Sequence, residues 1–266
     1  MLTTTAPDGT EVRAIDEGRG PAVLILHPGM DDGRSWGKVA ARLTPRHRVV
    51  RLHRRQYRQD LPGPATITQE VGHVLAVARE IGSPSLLIGH SSGAVVALES
   101  LVAAPELFTG AVLYEPPAVI GTPLGGPNGE NITRARQAIA TGRSGRALRI
   151  FMRDVVRFPA WLAFLSGVCL SVMLRLRSLV PQQLDDTEAI DRLGVRLDAY
   201  ARIATPVLLL GGDRSPAHLS ERLDALARVL PRAERAVLRG QGHTAHGTAP
   251  AEVAEAVGSF AARIAG

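Results

Sequence analysis

The sequence predicts an α/β protein, in which a mostly parallel central sheet is covered by helices on both faces and carries a helical cap insertion. Strand-like and helix-like segments alternate along the chain, and the strand-like segments are continuous apolar runs. Such runs are typical of parallel strands that are buried on both faces. A chain of 266 residues is long enough to bury this core without a disulfide or a metal.

Apolar runs bounded by turn residues predict the strands. In chain order they are 11–16, 22–27, 49–53, 85–90, 110–114, 206–211 and 237–238. Apolar residues that recur every three or four positions predict the helices. These cover 67–81, 92–104, 219–230 and 253–264, and Pro250 stands near the first turn of the last one.

The alternation stops between about Glu115 and Tyr200, where prolines and glycines lead into an arginine-rich helical region. We predict that residues 1–115 and 201–266 form the core and that 116–200 form the cap. Within the cap, 158–174 is a run of 17 residues without a charged side chain. At about 1.5 Å per residue the run spans roughly 26 Å, short of the hydrocarbon core of a bilayer. A lid or buried helix is therefore predicted, without stable membrane insertion.

Composition excludes several other classes of function. The net charge is +6, but Lys38 is the single lysine among 31 basic residues, and aromatic residues are too few to form a stacking platform for bases. Nucleic-acid binding is therefore not predicted. The lone cysteine, Cys169, excludes an internal disulfide and a cysteine metal cluster, and the histidines lack metal-ligand spacing. No phosphate or dinucleotide loop is present, so no cofactor is expected. The N-terminus lacks signal-peptide character, which favours a cytoplasmic protein.

The segment SLLIGHSSGAVVALE (85–99) contains the most informative motif. A strand that ends in Gly-x-Ser-x-Gly can turn so sharply into a helix that its central side chain stands exposed at the bend. Gly89 and Gly93 are required where a Cβ atom would meet the neighbouring backbone. Ser91 is then the predicted nucleophile.

A serine hydroxyl needs a base to take its proton and a carboxylate to orient that base. Two loops after predicted strands supply these groups: VLLLGGDRSP leads into Asp213, and AVLRGQGHTAHG leads into His243. We predict His243 as the base and Asp213 as the acid. His246 is the rival base, and Glu115, which follows the strand GAVLY, is the rival acid.

These motifs resemble the α/β-hydrolase fold family along almost the whole chain. GHSSG resembles its nucleophile elbow, GGDRSP its acid turn, GQGHTA its histidine loop, and LILHPGMDDGRSW its oxyanion loop. The order Ser91, Asp213, His243 matches the family order. The resemblance implies that the Gly29 and Ser92 amides bind the oxyanion, with Met30 lining the substrate pocket or replacing Gly29 as the donor. Pro28 stands where the family usually has glycine, and HRRQYRQDLPG lacks the usual glycines and serine of the next turn.

The resemblance implies a serine hydrolase that cleaves an ester-type bond, a carboxylic ester or a lactone, of a small-molecule substrate. A thioesterase, a cofactor-free haloperoxidase-like perhydrolase and a triad-bearing binding protein are the alternatives. The cap determines the substrate. Its apolar residues are candidates for an acyl pocket or for core packing: Trp161, Leu162, Phe164, Leu165 and Met173. The segment from Arg134 to Arg157 contains seven arginines and one acidic residue. These arginines form a solvated helix face, or they attract an anionic substrate or acyl carrier.

Overall fold

The structure is a computed structural model, and it describes residues 1–161, 163–165 and 174–265. The predicted mostly parallel sheet with helices on both faces is confirmed. Eight strands form one sheet in the order β1-β2-β4-β3-β5-β6-β7-β8. Their bounds are β1 Leu2–Thr5, β2 Glu11–Gly18, β3 Ala22–Leu26, β4 Arg48–Leu52, β5 Ser85–His90, β6 Phe108–Tyr114, β7 Val207–Gly212 and β8 Ala233–Leu238.

The helices lie between these strands and after the last one. Their bounds are α1 Gly37–Leu43, α2 Ile67–Ile81, α3 Ser92–Ala103, α4 Glu130–Ala140, α5 Ser144–Ile150, α6 Leu174–Arg177, α7 Val180–Leu193, α8 Leu197–Tyr200, α9 Ala217–Val229, α10 Ala245–Thr248 and α11 Pro250–Ala265. Short 3₁₀ turns follow β4 and α3, at Arg55–Tyr57 and Pro105–Leu107. A π-helical turn, Phe151–Val155, continues α5.

Two apolar layers cover the sheet. Helices α2, α3 and α9 bury residues such as Val74, Val96 and Leu226 against one face. Helices α1 and α11 bury Val39 and Phe260, among others, against the opposite face. Burial on both faces explains why β3 and β5 are continuous apolar runs without polar alternation.

The edge strands differ most from the sequence prediction. Strand β1 was not predicted, and β8 begins at Ala233 rather than near Val237. β8 pairs with β7 alone, so its residues Glu234 and Arg235 are exposed to solvent. These charged residues interrupt the apolar run by which the sequence would have predicted the whole strand. β2 pairs antiparallel with β1 on one side and with β4 on the other. All the other neighbouring strands, from β4 through β3, β5, β6 and β7 to β8, pair in parallel.

Parallel registers bring the carboxyl ends of the central strands to one edge of the sheet. Gly89 of β5 lies opposite Leu26 of β3, and Tyr114 of β6 lies between His90 and Leu210. In open α/β sheets this edge is where ligands bind. Between β6 and β7 the chain forms the helices α4 to α8, within the predicted cap boundaries of 116–200.

The charge-free stretch 158–174 lies partly outside the described residues, because 162 and 166–173, with Cys169 among them, are not described. Within the described part of the chain, no helix is long and apolar enough to cross a membrane. Trp161 is 66% exposed, and Phe164 and Leu165 are also exposed. These three side chains therefore do not belong to the core.

Acid is expected to destabilise the protein through its buried histidines. Burial lowers the pKa of His27, His218 and His246 to about 4 and that of His90 well below its usual value. An unfolded chain binds protons at these residues below about pH 6.5, before the folded chain does. The neutral histidines therefore make their full contribution to the free energy of unfolding above about pH 6.5, and this contribution is lost as the pH falls toward 4.

We expect the free energy of unfolding in urea to drop by at least about 2 kcal/mol between pH 7.5 and pH 5. Asp60, whose pKa the Arg58 side chain lowers to about 2, stays ionised over this window and does not contribute to the change. An equal free energy of unfolding at the two pH values would contradict the prediction.

Candidate active site

Ser91 stands at a sharp turn between β5 and α3, with φ 53° and ψ −126°. This positive φ is rare for a residue with a side chain and costs about 1–3 kcal/mol. A Cβ atom on Gly89 would lie 2.5 Å from Cα of Ala94, and one on Gly93 would lie 2.5 Å from the carbonyl oxygen of His27. Both glycines are therefore required by close backbone packing, and the turn presents Ser91 to a cavity.

His243 lines the same cavity and follows β8. Its Nδ1 donates to Oε2 of Glu115 across 2.6 Å. Because a carboxylate can only accept, this bond assigns the Nδ1–H tautomer to the neutral ring and leaves Nε2 free of a proton. His243 therefore has the tautomer that a general base requires.

Glu115 is held rigidly directly after β6. It is 1% exposed, and its backbone has φ 45°. Its second oxygen, Oε1, accepts from the amide of Gly212 across 2.8 Å. One carboxylate thus joins the ends of β6 and β7 and contacts His243.

Asp213 does not contact His243, which corrects the sequence prediction. Its side chain is exposed, and its Oδ1 accepts from the amide of Gly240 across 2.7 Å. This bond holds the turn after β8 to the end of β7. The acid that contacts the histidine comes instead from Glu115, one strand closer to Ser91 in the sheet, which the sequence identified as the rival.

An aromatic cluster fixes the His243 loop. The indole Nε1 of Trp36 donates to Nδ1 of His90 across 3.3 Å, and Nε2 of His90 donates to the carbonyl oxygen of His243 across 3.0 Å. The hydroxyl of Tyr114 donates to the carbonyl oxygen of Gly242. His246, the rival base, stacks on Trp36 with a centroid distance of 5.6 Å. It does not contact Glu115.

The predicted oxyanion residues Gly29, Met30 and Ser92 line the cavity together with Ser91. A Cβ atom on Gly29 would lie 1.8 Å from Oε1 of Gln183, so a side chain here would require the Gln183 side chain to move. Met30 has φ 56°, which shows that the loop bends sharply after Gly29. The Ser92 amide belongs to the first turn of α3, where amides lack an intrahelical acceptor.

A buried ion network lies behind these residues, and no sequence signal pointed to it. Arg54 is 0% exposed and donates to Glu70 across 2.6 Å and to Asp186 of the cap helix α7 across 3.0 Å. It also donates to Oγ of Ser92 across 2.8 Å. The Tyr57 hydroxyl donates to Asp186 as well, across 2.7 Å. The network joins the cap helix to the nucleophile turn.

Replacing Arg54 with methionine is expected to destabilise the protein by about 3–5 kcal/mol, because Glu70 and Asp186 would remain buried without a cation. Arg263 pairs with Glu234 at the surface across 2.9 Å, with both side chains about half exposed. The control Arg263→Met should cost less than about 1 kcal/mol. Equal changes in the urea midpoint for the two variants would contradict the buried role of Arg54.

The cavity has a volume of about 320 Å³ and lies between the strand ends and the segment that joins β6 to β7. The π-helical turn and the residues after it supply an apolar wall: Phe151, Met152, Val155, Val156 and Phe158. The predicted pocket residues Trp161, Phe164 and Leu165 are exposed instead, and Leu162 and Met173 lie outside the described residues. Such π-helical turns frequently occur at functional sites, but nothing in the sequence distinguishes this one.

No group of three or more His, Cys, Asp or Glu side chains suited to a metal ion occurs among residues 1–161, 163–165 and 174–265. Ser91, His243 and Glu115 are a set of side chains suited to nucleophilic chemistry.

Comparison with known proteins identifies the family of the chain. The sequence model of the alpha/beta hydrolase family matches residues 23–256. No curated protein matches the chain. An alpha/beta hydrolase from Sphaerobacter thermophilus is similar in structure, with 25% identity, a TM-score of 0.84, and coverage of 97% of this chain and 99% of that one.

Two further solved structures share the fold at lower identity. A thermophilic esterase from Thermogutta terrifontis has 20% identity and a TM-score of 0.76, covering 99% of this chain and 98% of that one. Est816, described as an N-acyl homoserine lactone degrading enzyme, has 21% identity and a TM-score of 0.75, covering 97% of this chain and all of its own.

Proposed function

Because the chain belongs to the alpha/beta hydrolase family, we propose that it is a serine hydrolase that cleaves a carboxylic ester or lactone of a small, partly apolar molecule. The observation that carries the proposal is the pairing of His243 with buried Glu115 beside the cavity onto which the Ser91 turn opens. The strained turn presents the Ser91 side chain to the cavity, which supports its use as a nucleophile.

The proposed reaction is acyl transfer to water. Nε2 of His243 accepts the proton of the Ser91 hydroxyl as its oxygen attacks the carbonyl carbon. Glu115 stabilises the imidazolium that forms. The amides of Gly29 and Ser92 stabilise the oxyanion, a contribution of about 3 kcal/mol per donor. His243 then protonates the leaving group, and a water molecule activated by the same histidine hydrolyses the acyl-enzyme.

The cavity supports a small substrate with an apolar portion. Its volume is at the small end of the range for drug-sized ligands. Phe151, Met152 and Val155 provide the apolar wall on the cap side. We propose that this wall, rather than the exposed Trp161, Phe164 and Leu165, selects the acyl or alcohol portion.

Ion pairs in the cap favour a solvated arginine face over an acyl-carrier site. Arg136 pairs with Asp185 across 2.6 Å and with Glu188 across 2.8 Å, and Arg134 pairs with Asp154 across 3.3 Å. Arginines that are already paired attract an anionic partner less strongly. The pairing of these two arginines favours a small-molecule substrate over an acyl carrier.

The proposal is tested by fluorophosphonate labelling together with hydrolysis of p-nitrophenyl butyrate, an aliphatic lactone and butyryl-CoA. Rapid labelling with turnover of the oxygen ester or the lactone is expected. Faster turnover of butyryl-CoA would favour a thioesterase. Tight ligand binding without turnover would indicate a receptor and overturn the proposal.

A further inference from the structure

Asp31 is the one charged side chain among the described residues that line the active-site cavity. It follows the oxyanion loop by two residues, and its side chain is 11% exposed. The cavity wall around it is polar and includes Ser35 and His246. The catalytic steps proposed above do not use any of these three side chains.

Neighbouring groups keep Asp31 ionised. Burial raises the pKa of this carboxyl, but the neighbouring His27 ring and the hydrogen bonds from Ser35 and the Asp32 amide outweigh burial and lower it overall. The Ser35 hydroxyl donates to Oδ2 across 2.6 Å, and the Ser35 amide donates to Oδ1 across 3.3 Å. A carboxylate has about four acceptor positions, so these donors leave acceptor capacity for a ligand.

A second observation points to a ligand at this wall. His246 is 8% exposed, lines the cavity, and has an Nδ1 atom that is buried without a hydrogen-bond partner in the described part of the chain. Buried polar atoms are normally satisfied, so an unpartnered Nδ1 on a residue that lines the cavity points to a ligand with a polar group on this side. Burial lowers the pKa of His246 to about 4. The ring is thus neutral and does not repel a cation at pH 7.

Further carboxylates lie behind the cavity. Arg54 carries one positive charge against the two carboxylates of Glu70 and Asp186, and Glu115 adds a further carboxylate behind His243. Arg222, which donates to Nδ1 of His218, contributes positive charge behind another part of the wall. It does not line the cavity, whereas Asp31 does. A cleft focuses the electric field of such nearby charges, even though the net charge of the protein is +6.

We propose that Asp31, together with His246, forms a subsite for a protonated amine, so that the enzyme prefers esters or lactones that carry a cationic group. The inference rests on the proposed hydrolase function and adds the chemical class of its substrate. The ammonium group would donate to the Asp31 carboxylate, while the apolar remainder of the substrate lies against the cap wall.

Two pairs of isosteric esters test the subsite from either side of the scissile bond. One pair is 2-(dimethylamino)ethyl butyrate and 3-methylbutyl butyrate. The other is the p-nitrophenyl ester of 4-(dimethylamino)butyrate and that of 5-methylhexanoate. At pH 7 the members of each pair differ in one positive charge and hardly in shape. The readout is the ratio of kcat/KM for the cationic ester to kcat/KM for the neutral ester.

In at least one pair we expect this ratio to fall by about tenfold or more in Asp31→Asn, because one buried charge pair is lost. Asp32→Asn is the matched control, since Asp32 is the next residue and does not line the cavity. It should change the ratio by less than about twofold. If Asp31→Asn lowers kcat/KM equally for the cationic and the neutral ester of each pair, Asp31 only stabilises the loop turn, and the subsite is overturned.

Binding separates failure of the subsite from failure of the proposed function. Calorimetric titration of the same esters into Ser91→Ala measures affinity without turnover. The subsite is supported if the cationic ester binds at least tenfold more weakly to Ser91→Ala/Asp31→Asn than to Ser91→Ala. This result would support the subsite even if the wild type hydrolyses none of the esters. A wild type without hydrolysis would overturn the hydrolase proposal instead. Hydrolysis of both esters without any preference for the cation in the wild type overturns the subsite and leaves the hydrolase proposal standing.

Discussion

Ser91→Ala is expected to abolish fluorophosphonate labelling and to lower kcat for p-nitrophenyl butyrate by about a millionfold. The reason is the loss of the attacking oxygen, since the turn itself accepts alanine: the positive φ of 53° is as costly for alanine as for serine. Urea unfolding should therefore show the same stability as the wild type. Labelling and stopped-flow hydrolysis measure the loss.

Ser85→Ala is the matched control for this experiment. Ser85 is a fully buried serine at the start of the same strand, and its hydroxyl has no hydrogen-bond partner in the described part of the chain. Its replacement should change kcat by less than about threefold. If Ser91→Ala keeps more than a tenth of the wild-type rate, Ser91 is not the nucleophile.

The second large effect concerns the acid. Glu115→Gln is expected to lower kcat by up to about 10⁴, because an amide in place of the carboxylate no longer holds His243 as the Nδ1–H tautomer or stabilises its imidazolium. The glutamine oxygen can still accept from Gly212, as Oε1 of Glu115 does across 2.8 Å. The fold should therefore survive, and kcat is the quantity that reports the change.

Asp213→Asn is the comparison that distinguishes the two acids. The asparagine oxygen can still accept from the amide of Gly240, so the turn after β8 should keep its position. We expect kcat to fall by less than about threefold. A loss in Asp213→Asn as large as that in Glu115→Gln would return the role of the acid to Asp213.

The nucleophile turn was predictable from the sequence because Gly89, Ser91 and Gly93 stand at a short, fixed spacing. The contacts that exclude a side chain at Gly89 are made with residues four to eight positions away, such as Ala94 and Ala97. The buried strands were predictable for a similar reason, since burial on both faces makes each one a continuous apolar run. His243 was predictable as a histidine that follows the last strand.

The identity of the acid was decided by tertiary structure. Glu115 and Asp213 both follow parallel strands, β6 and β7, which are neighbours in the sheet. Sequence spacing therefore places either one near the site. What distinguishes them is the path of the His243 loop, which Tyr114 and His90 hold over the end of β6. That path depends on contacts between residues more than 120 positions apart in the chain.

The ion network around Arg54 was even less predictable from the sequence than the identity of the acid. HRRQYRQD contains three arginines, and Arg54 among them is fully buried. Its burial requires Glu70 from α2 and Asp186 from α7, the latter 132 residues away. A buried charge is stable only where its partners meet it. The sequence by itself determined the fold class, the serine turn and the histidine, whereas the acid, the cap attachment and the charge of the cavity depend on which distant side chains the folded chain brings together.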